Sequence, residues 1–311
     1  MRNNLNKIAI LTVALTFIVI VLGAYTRLKD AGLGCPDWPV CYGRLLAPNA
    51  DHKAWIEMIH RYVAGTLSLL ILYLSIQAIR LRQYFPRLWL AATIVCLLVI
   101  FQALLGMWTV TLRLYPVVVM GHLLGGFAIL AGVWLIYMQT NAAKYKIPYK
   151  SNNSLKLLVI ASIVMLILQI ALGGWTSANY AALVCADFPA CQGQLWPSMD
   201  WRGAFNFTNI GIFDSPGTPL ENNARVTIQM AHRLGALFIT ILISFLSYKL
   251  WHTKTKGLKT LAMLLLALLG IQLSLGITNV LAGLPLMVSL AHSAVAALLL
   301  LCLISILYLI L

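Results

Sequence analysis

The chain has 311 residues, of which 61% are hydrophobic and only 10% are charged, and its mean hydropathy is +0.89. This composition excludes an ordinary soluble domain and is typical of an integral membrane protein. The formal net charge of +14 comes largely from basic residues that flank apolar segments, so it indicates membrane topology and attraction to anionic lipid rather than nucleic-acid binding.

Eight apolar segments are long enough to cross a bilayer, which requires roughly 20 apolar residues per helix. In chain order, they cover about residues 8–27, 56–79, 88–110, 118–138, 157–177, 225–248, 260–280 and 287–310. We interpret the first as a retained helix rather than a signal peptide, because it is too long and lacks a small-residue cleavage site. The sequence therefore predicts an all-α integral membrane protein with eight transmembrane helices.

The basic residues predict the orientation of these helices. Thirteen of the 22 basic residues precede the first span or join spans 2 and 3, 4 and 5, or 6 and 7: Arg2, Lys7, Arg80, Arg82, Arg87, Lys144, Lys146, Lys150, Lys156, Lys249, Lys254, Lys256 and Lys259. The acidic residues lie on or near the other side: Asp30, Asp37, Asp51, Glu57, Asp187, Asp200, Asp214 and Glu221. The positive-inside rule then places both termini in the cytoplasm.

The chain repeats its landmarks, which predicts two similar halves. The matched positions are Cys35 and Cys41 with Cys185 and Cys191, His60 with His232, and His122 with His292. Each copy has four spans, an even number, so both copies have the same orientation and are related by an axis along the membrane normal. We expect two tandem, parallel four-helix bundles, in residues 1–150 and 151–311.

Four histidines within the apolar segments are the strongest functional signal, because polar side chains inside a bilayer are costly. His60 and His122 lie at a similar depth in the first half, and His232 and His292 repeat this in the second. A single such histidine is more often a packing residue. Two on neighbouring helices can bind one haem iron from opposite faces. Zinc is a weaker interpretation, because a closed zinc site requires four ligands.

Charged residues beside the histidines differ between the halves. Glu57 lies three residues before His60, so both side chains project from one helix face, whereas the equivalent position in the second half is Gln229. A carboxylate there can move protons, and the alternative is an exposed glutamate at a helix start. Arg61 and Arg233 follow the histidines and are candidate partners for haem propionates, or they extend to the membrane interface.

Each half also carries a cysteine pair in an outer loop. We expect one disulfide in each, Cys35–Cys41 and Cys185–Cys191, because disulfides persist outside the cytoplasmic membrane. The spacing is not that of the C-x-x-C redox motif, which favours a structural role, although a redox role stays open.

These features together resemble the haem A synthase family, whose members convert haem O into haem A for terminal oxidases. The resemblance covers essentially the whole chain. It rests on the eight spans, the E-x-x-H-R motif from Glu57 to Arg61, a histidine in each of spans 4, 6 and 8, and the first cysteine pair. The second pair, Cys185 and Cys191, occurs in only part of that family.

The resemblance implies a role for each site. His232 and His292 would hold a haem b cofactor, while His60 and His122, with Glu57 as the catalytic group, would form the site for the substrate haem O. The reaction would oxidise one porphyrin methyl group to a formyl group. The resemblance further implies a bacterial cytoplasmic (inner) membrane location. The charge distribution and the positions of the histidines near the outer helix ends place the cysteine loops and haem sites toward the outer side. Haem O synthase would be the upstream donor and terminal-oxidase assembly the downstream process, and homo-oligomerisation is left open.

Two other functions remain open on the residues alone. The chain could be a di-haem b electron-transfer protein, although a pure carrier gives no reason for the difference between Glu57 and Gln229. It could also be a membrane thiol oxidoreductase that uses the outer cysteine loops, although the C-x5-C spacing and the four intramembrane histidines argue against this.

Overall fold

The protein is represented by a computed structural model that describes residues 2–83, 88–141, 152–207 and 220–311. Within these ranges the regular secondary structure is helical, apart from two isolated β-bridges. The helices are α1 (Arg2–Leu28), α2 (His52–Arg80), α3 (Leu88–Thr111), α4 (Pro116–Thr140), α5 (Asn153–Ala178), α6 (Trp201–Ala204), α7 (Asn222–Trp251), α8 (Lys256–Leu281) and α9 (Leu286–Ile310). All except α6 are long and apolar enough to cross a membrane, which confirms the predicted all-α membrane class.

The helices extend beyond the predicted apolar spans because polar caps begin them. Helix α2 starts at His52, four residues before the predicted span, since the Asp51 carboxylate accepts a hydrogen bond from the Ala54 N–H at 3.0 Å. Asn152 caps α5 in the same way. Five charged residues used in the orientation argument lie outside the described residues: Arg87, Lys144, Lys146, Lys150 and Asp214.

The chain divides into two compact units. The first contains the chain up to the end of α3 together with α4 from Gly121 onward, and the second contains residues 112–120 and the chain from α5 onward. The beginning of α4 therefore belongs to the second unit.

In the first unit, α1 packs on α2 and α2 packs on α3. The Ser75 hydroxyl of α2 donates to the Ala92 carbonyl of α3 at 2.9 Å. Helix α4 contacts α1 where a Cβ built on Gly126 would lie 3.7 Å from Ile20 Cγ1. These contacts place four helices around one core.

In the second unit, α5 packs on α7 and α9, and α8 packs on the same two helices. This arrangement is a closed ring of four helices, as expected for a four-helix bundle. The buried Ser289 hydroxyl of α9 donates to Asn279 Oδ1 of α8 at 2.8 Å, which joins these two helices inside the bundle.

The short helix α6 was not predicted from the sequence. It packs on α7, and the indole N–H of the buried Trp175 donates to the Ala204 carbonyl at its end, at 2.9 Å. Asp200 caps its start by accepting from the Gly203 N–H at 2.9 Å. Trp201–Ala204 of the second outer loop are thus held by contacts with α5 and α7.

Candidate functional site

The structure brings the four intramembrane histidines together in pairs, one pair in each unit. His60 of α2 lies near His122 of α4, and His232 of α7 lies near His292 of α9. All four residues are half-buried. Each bundle therefore presents two imidazoles to one region of its core.

A glycine of a neighbouring helix lies against each imidazole. A Cβ built on the glycine would approach the ring Cε1 to 3.2 Å for Gly23 and His60, 3.2 Å for Gly106 and His122, 3.2 Å for Gly173 and His232, and 3.1 Å for Gly276 and His292. An added methyl group would therefore press on the ring. These four glycines are landmarks of the repeat in the sequence, but their contact with the histidines could not be predicted from it.

Glutamines lie one helical turn before three of these glycines, in the pattern Q-x-x-x-G. In α5, Gln169 Nε2 donates to the His232 carbonyl at 2.9 Å and lies 3.1 Å from His232 Nδ1. In α8, Gln272 Nε2 lies 3.2 Å from His292 Nε2. The second histidine pair thus has an amide against each ring.

The first unit differs at these positions. In α3, Gln102 Nε2 donates to the His122 carbonyl at 2.6 Å. In α1, the residue one turn before Gly23 is Val19, which has no side-chain hydrogen-bonding group.

Several polar atoms at both sites are buried without a hydrogen-bond partner. They are the Nδ1 atoms of His60, His122 and His292 and the Oε1 atoms of Gln102, Gln169 and Gln272. Buried polar atoms are normally paired, so this concentration points to a ligand. Among the described residues no group of three or more His, Cys, Asp or Glu side chains could hold a metal ion. Two imidazoles per bundle would suit a haem iron, which takes two ligands from the protein, better than a closed zinc site, which requires four.

Glu57 is buried, with 4% of its surface exposed, and both of its carboxylate oxygens are engaged. Oε2 accepts a hydrogen bond from the Cys35 N–H at 2.8 Å, and Oε1 forms an ion pair with the Arg61 guanidinium. Glu57 therefore joins the first cysteine loop to the start of α2. This contradicts the alternative of an exposed glutamate at a helix start. In the second unit, Gln229 is equally buried and its Oε1 has no partner.

The two arginines anchor the cysteine loops, a role that the sequence analysis missed. Arg61 Nη1 donates to the carbonyls of Asp37 and Val40 at 2.9 and 2.8 Å. Arg233 donates to the carbonyls of Asp187 and Ala190 at 2.8 and 2.7 Å. Contact with haem propionates stays a prediction for both.

Each cysteine loop is closed on itself. Disulfides join Cys35 to Cys41 and Cys185 to Cys191. Inside the first loop, the Asp37 carboxylate accepts hydrogen bonds from the Tyr42 and Gly43 N–H groups, both at 2.7 Å. The Gly43 N–H bond is the main cause that lowers the pKa of Asp37 below its usual value. Asp187 makes the equivalent bonds in the second loop, at 2.8 Å.

Comparison with known proteins identifies the family of this chain. A family model described as a cytochrome oxidase assembly protein, COX15-CtaA, matches residues 6–304. The chain belongs to this family. A Heme A synthase from Shewanella oneidensis is 42% identical over 315 residues, covering 96% of this chain and 94% of that protein. Proteins of the same name from Shouchella clausii and Halalkalibacterium halodurans are each 25% identical, covering 82% and 96% of this chain and 78% and 94% of their own.

Membership in the COX15-CtaA family confirms the resemblance found in the sequence. The separate roles of the residues remain predictions. The structure adds to them the glycines, the glutamines and the loop anchors, which surround the predicted side chains.

Proposed function

We propose that this protein is a haem A synthase, a membrane oxidoreductase that converts a methyl group of haem O into the formyl group of haem A. Relatives that carry this name match almost the full chain. The observation that carries the proposal is the pair of half-buried histidines in each bundle, with each ring against a glycine of the next helix. This arrangement supports two haem sites in one chain.

The proposal divides the chain into a substrate half and a cofactor half. His60 and His122 in residues 1–150 would hold haem O, and His232 and His292 in residues 151–311 would hold haem b. A bound haem supplies the redox chemistry that side chains lack. The division is supported by Glu57, because a carboxylate at this position is present only in the first half.

The chain's own groups would orient the haems and handle protons. The glycines leave room for the imidazole rings in their observed positions. Glu57 fixes the first cysteine loop three residues before His60, and we assign it the catalytic proton transfer that oxidation of a methyl group requires. Arg233 Nε is buried without a partner, which supports a contact with a haem propionate; Arg61 is its counterpart.

The membrane spans indicate where in the cell the protein lies. Eight apolar helices make this a multi-pass membrane protein. We propose the bacterial inner membrane, cytoplasmic termini, and cysteine loops and haem sites toward the outer side. Haem O synthase would supply the substrate, and terminal-oxidase assembly would use the product.

Haem analysis of the purified protein and of single histidine variants tests the proposal. We expect haem b together with haem O or haem A in the wild type. His232→Ala or His292→Ala should remove haem b, whereas His60→Ala or His122→Ala should keep haem b and abolish haem A formation. His252→Ala, at the end of α7, is the matched control and should change neither.

The same measurement separates the proposal from its rivals. Haem b as the only pigment in every preparation would indicate a di-haem electron carrier, and protein without haem would favour thiol chemistry. Full haem content and activity in all four histidine variants would show that these residues are not ligands.

A further inference from the structure

The two halves differ at one position of the helix that packs against the first histidine of each pair, which is α1 beside His60 and α5 beside His232. Gly23 of α1 and Gly173 of α5 are 150 residues apart and make the same contact, each 3.2 Å from an imidazole Cε1 when a Cβ is added. One turn earlier, again 150 residues apart, α1 has Val19 and α5 has Gln169. The glycine contact is shared, and the residue one turn before the glycine differs.

Gln169 holds His232 at two points with one amide group. Its Nε2 donates to the His232 carbonyl at 2.9 Å and lies 3.1 Å from Nδ1 of the same residue. The two contacts restrict rotation of the ring about its own helix. In this position Gln169 Nε2 can only donate to Nδ1. A half-turn of the amide would bring Oε1, which is buried and has no partner, to the proton that Nδ1 carries when Nε2 of the imidazole binds a metal.

Neither ring of the first pair is held in this way. Val19 cannot hydrogen-bond, and His60 Nδ1 is buried without a partner among the described residues. Gln102 bonds to the main chain of His122 rather than to the ring, and His122 Nδ1 is also unpartnered. The rings that would face the substrate are therefore held less tightly than those that would face the cofactor.

A haem that must leave its site after each turnover requires a histidine ligand whose ring is not fixed by other side chains. Partners of the non-ligating imidazole nitrogen typically change metal affinity about 10–100-fold. Under the proposed function, on which this inference rests, one haem stays through every turnover and the other is exchanged. We propose that Gln169 is a positioning residue that keeps His232 on the resident haem, and that Val19 makes His60 the releasable ligand of the exchanging site.

Reciprocal substitutions test this inference in the full-length protein. The protein is produced together with haem O, and the transfer of haem to excess apomyoglobin is followed by absorbance. Gln169→Met, which keeps side-chain length but removes the amide, should speed the loss of haem b about 10-fold or more. Val19→Gln should slow the release of haem O by a similar factor, and Val19→Met is its matched control and should not.

The absorption spectrum separates ligand positioning from general packing. If Gln169 positions the ligand, Gln169→Met should lower the fraction of low-spin haem b, while the helical circular dichroism of the protein stays unchanged. Val19→Gln should raise the low-spin fraction of the haem in the first half. A packing role alone would change the circular dichroism or the thermal unfolding and leave the spin state of the remaining haem as in the wild type.

The outcomes distinguish this inference from the proposed function. Normal haem b and haem A formation, with release rates unchanged in both Gln169→Met and Val19→Gln, would overturn the inference and leave the function intact. Equal effects of Val19→Gln and Val19→Met would also overturn it, because side-chain size rather than the amide would then be responsible. Protein that binds no haem would overturn both.

Discussion

The exchange of Glu57 for glutamine tests whether this buried carboxylate performs chemistry or only holds a loop. Glutamine can still accept from the Cys35 N–H, now at 2.8 Å, but it cannot form the ion pair with Arg61. The Arg61 side chain is 13% exposed and keeps its bonds to loop carbonyls. We therefore expect a loss of about 1–3 kcal/mol in the free energy of unfolding. If Glu57 transfers protons, haem A formation should fall by a further factor of about 10² or more.

The control is Arg61→Gln, which breaks the same ion pair and leaves the carboxylate in place, and which also removes the bonds to the loop carbonyls. Haem products are quantified by chromatography, and thermal unfolding is measured for both variants. A chemical role predicts that, per haem O bound, Glu57→Gln forms less haem A than Arg61→Gln and accumulates haem O or a partly oxidised hydroxymethyl haem. Equal losses of stability and output in the two variants would show that Glu57 is a loop anchor. Normal haem A output from Glu57→Gln would refute the proton-transfer role.

Two further predictions concern the glycines and the loops. Gly173→Ala should keep or raise helix stability, since alanine is favoured by about 1 kcal/mol, yet its Cβ would lie 3.2 Å from His232 Cε1. Displacing the ring at a cost of about 0.5–1.5 kcal/mol should lower haem b affinity about 2–10-fold, and unchanged affinity in a haem titration would contradict the contact. The lowered pKa of Asp37 means that its bonds to Tyr42 and Gly43 stabilise the loop above the usual value of 3.8 and are lost as pH falls through the lower folded pKa. In hydrogen exchange, the Tyr42 and Gly43 amides should lose protection only below pH 3.8 in the wild type, and at every pH in Asp37→Ala. Equal protection in the two proteins would show that the Asp37 carboxylate does not hold these amides.

The membrane spans and the histidines could be found from the sequence for the same physical reason. A bilayer requires long apolar runs, and a polar residue inside such a run is conspicuous. The glycine contacts could not be found in this way, because Gly173 is unremarkable in an apolar helix until its neighbour is known. Arg233 illustrates a second limit: its charge suggested propionates or the interface, whereas its partners are loop carbonyls, which carry no side-chain signature. The hydrogen bond from Trp175 to α6 could not be predicted either, because its acceptor is also a backbone carbonyl.

The unequal charges beside the two histidine pairs also bear on reduction potential. In the first half the Glu57 carboxylate offsets the Arg61 guanidinium within the span, whereas Gln229 leaves Arg233 with backbone carbonyls and the Asp187 carboxylate of its loop. Each loop has its own aspartate, so the groups beside the second histidine pair are more positive by one charge. A nearby positive charge favours the reduced form of an iron centre, and the effect is stronger where water is excluded. Iron held by the second histidine pair should therefore have the higher reduction potential, which makes it the more favourable place for an electron removed from the first.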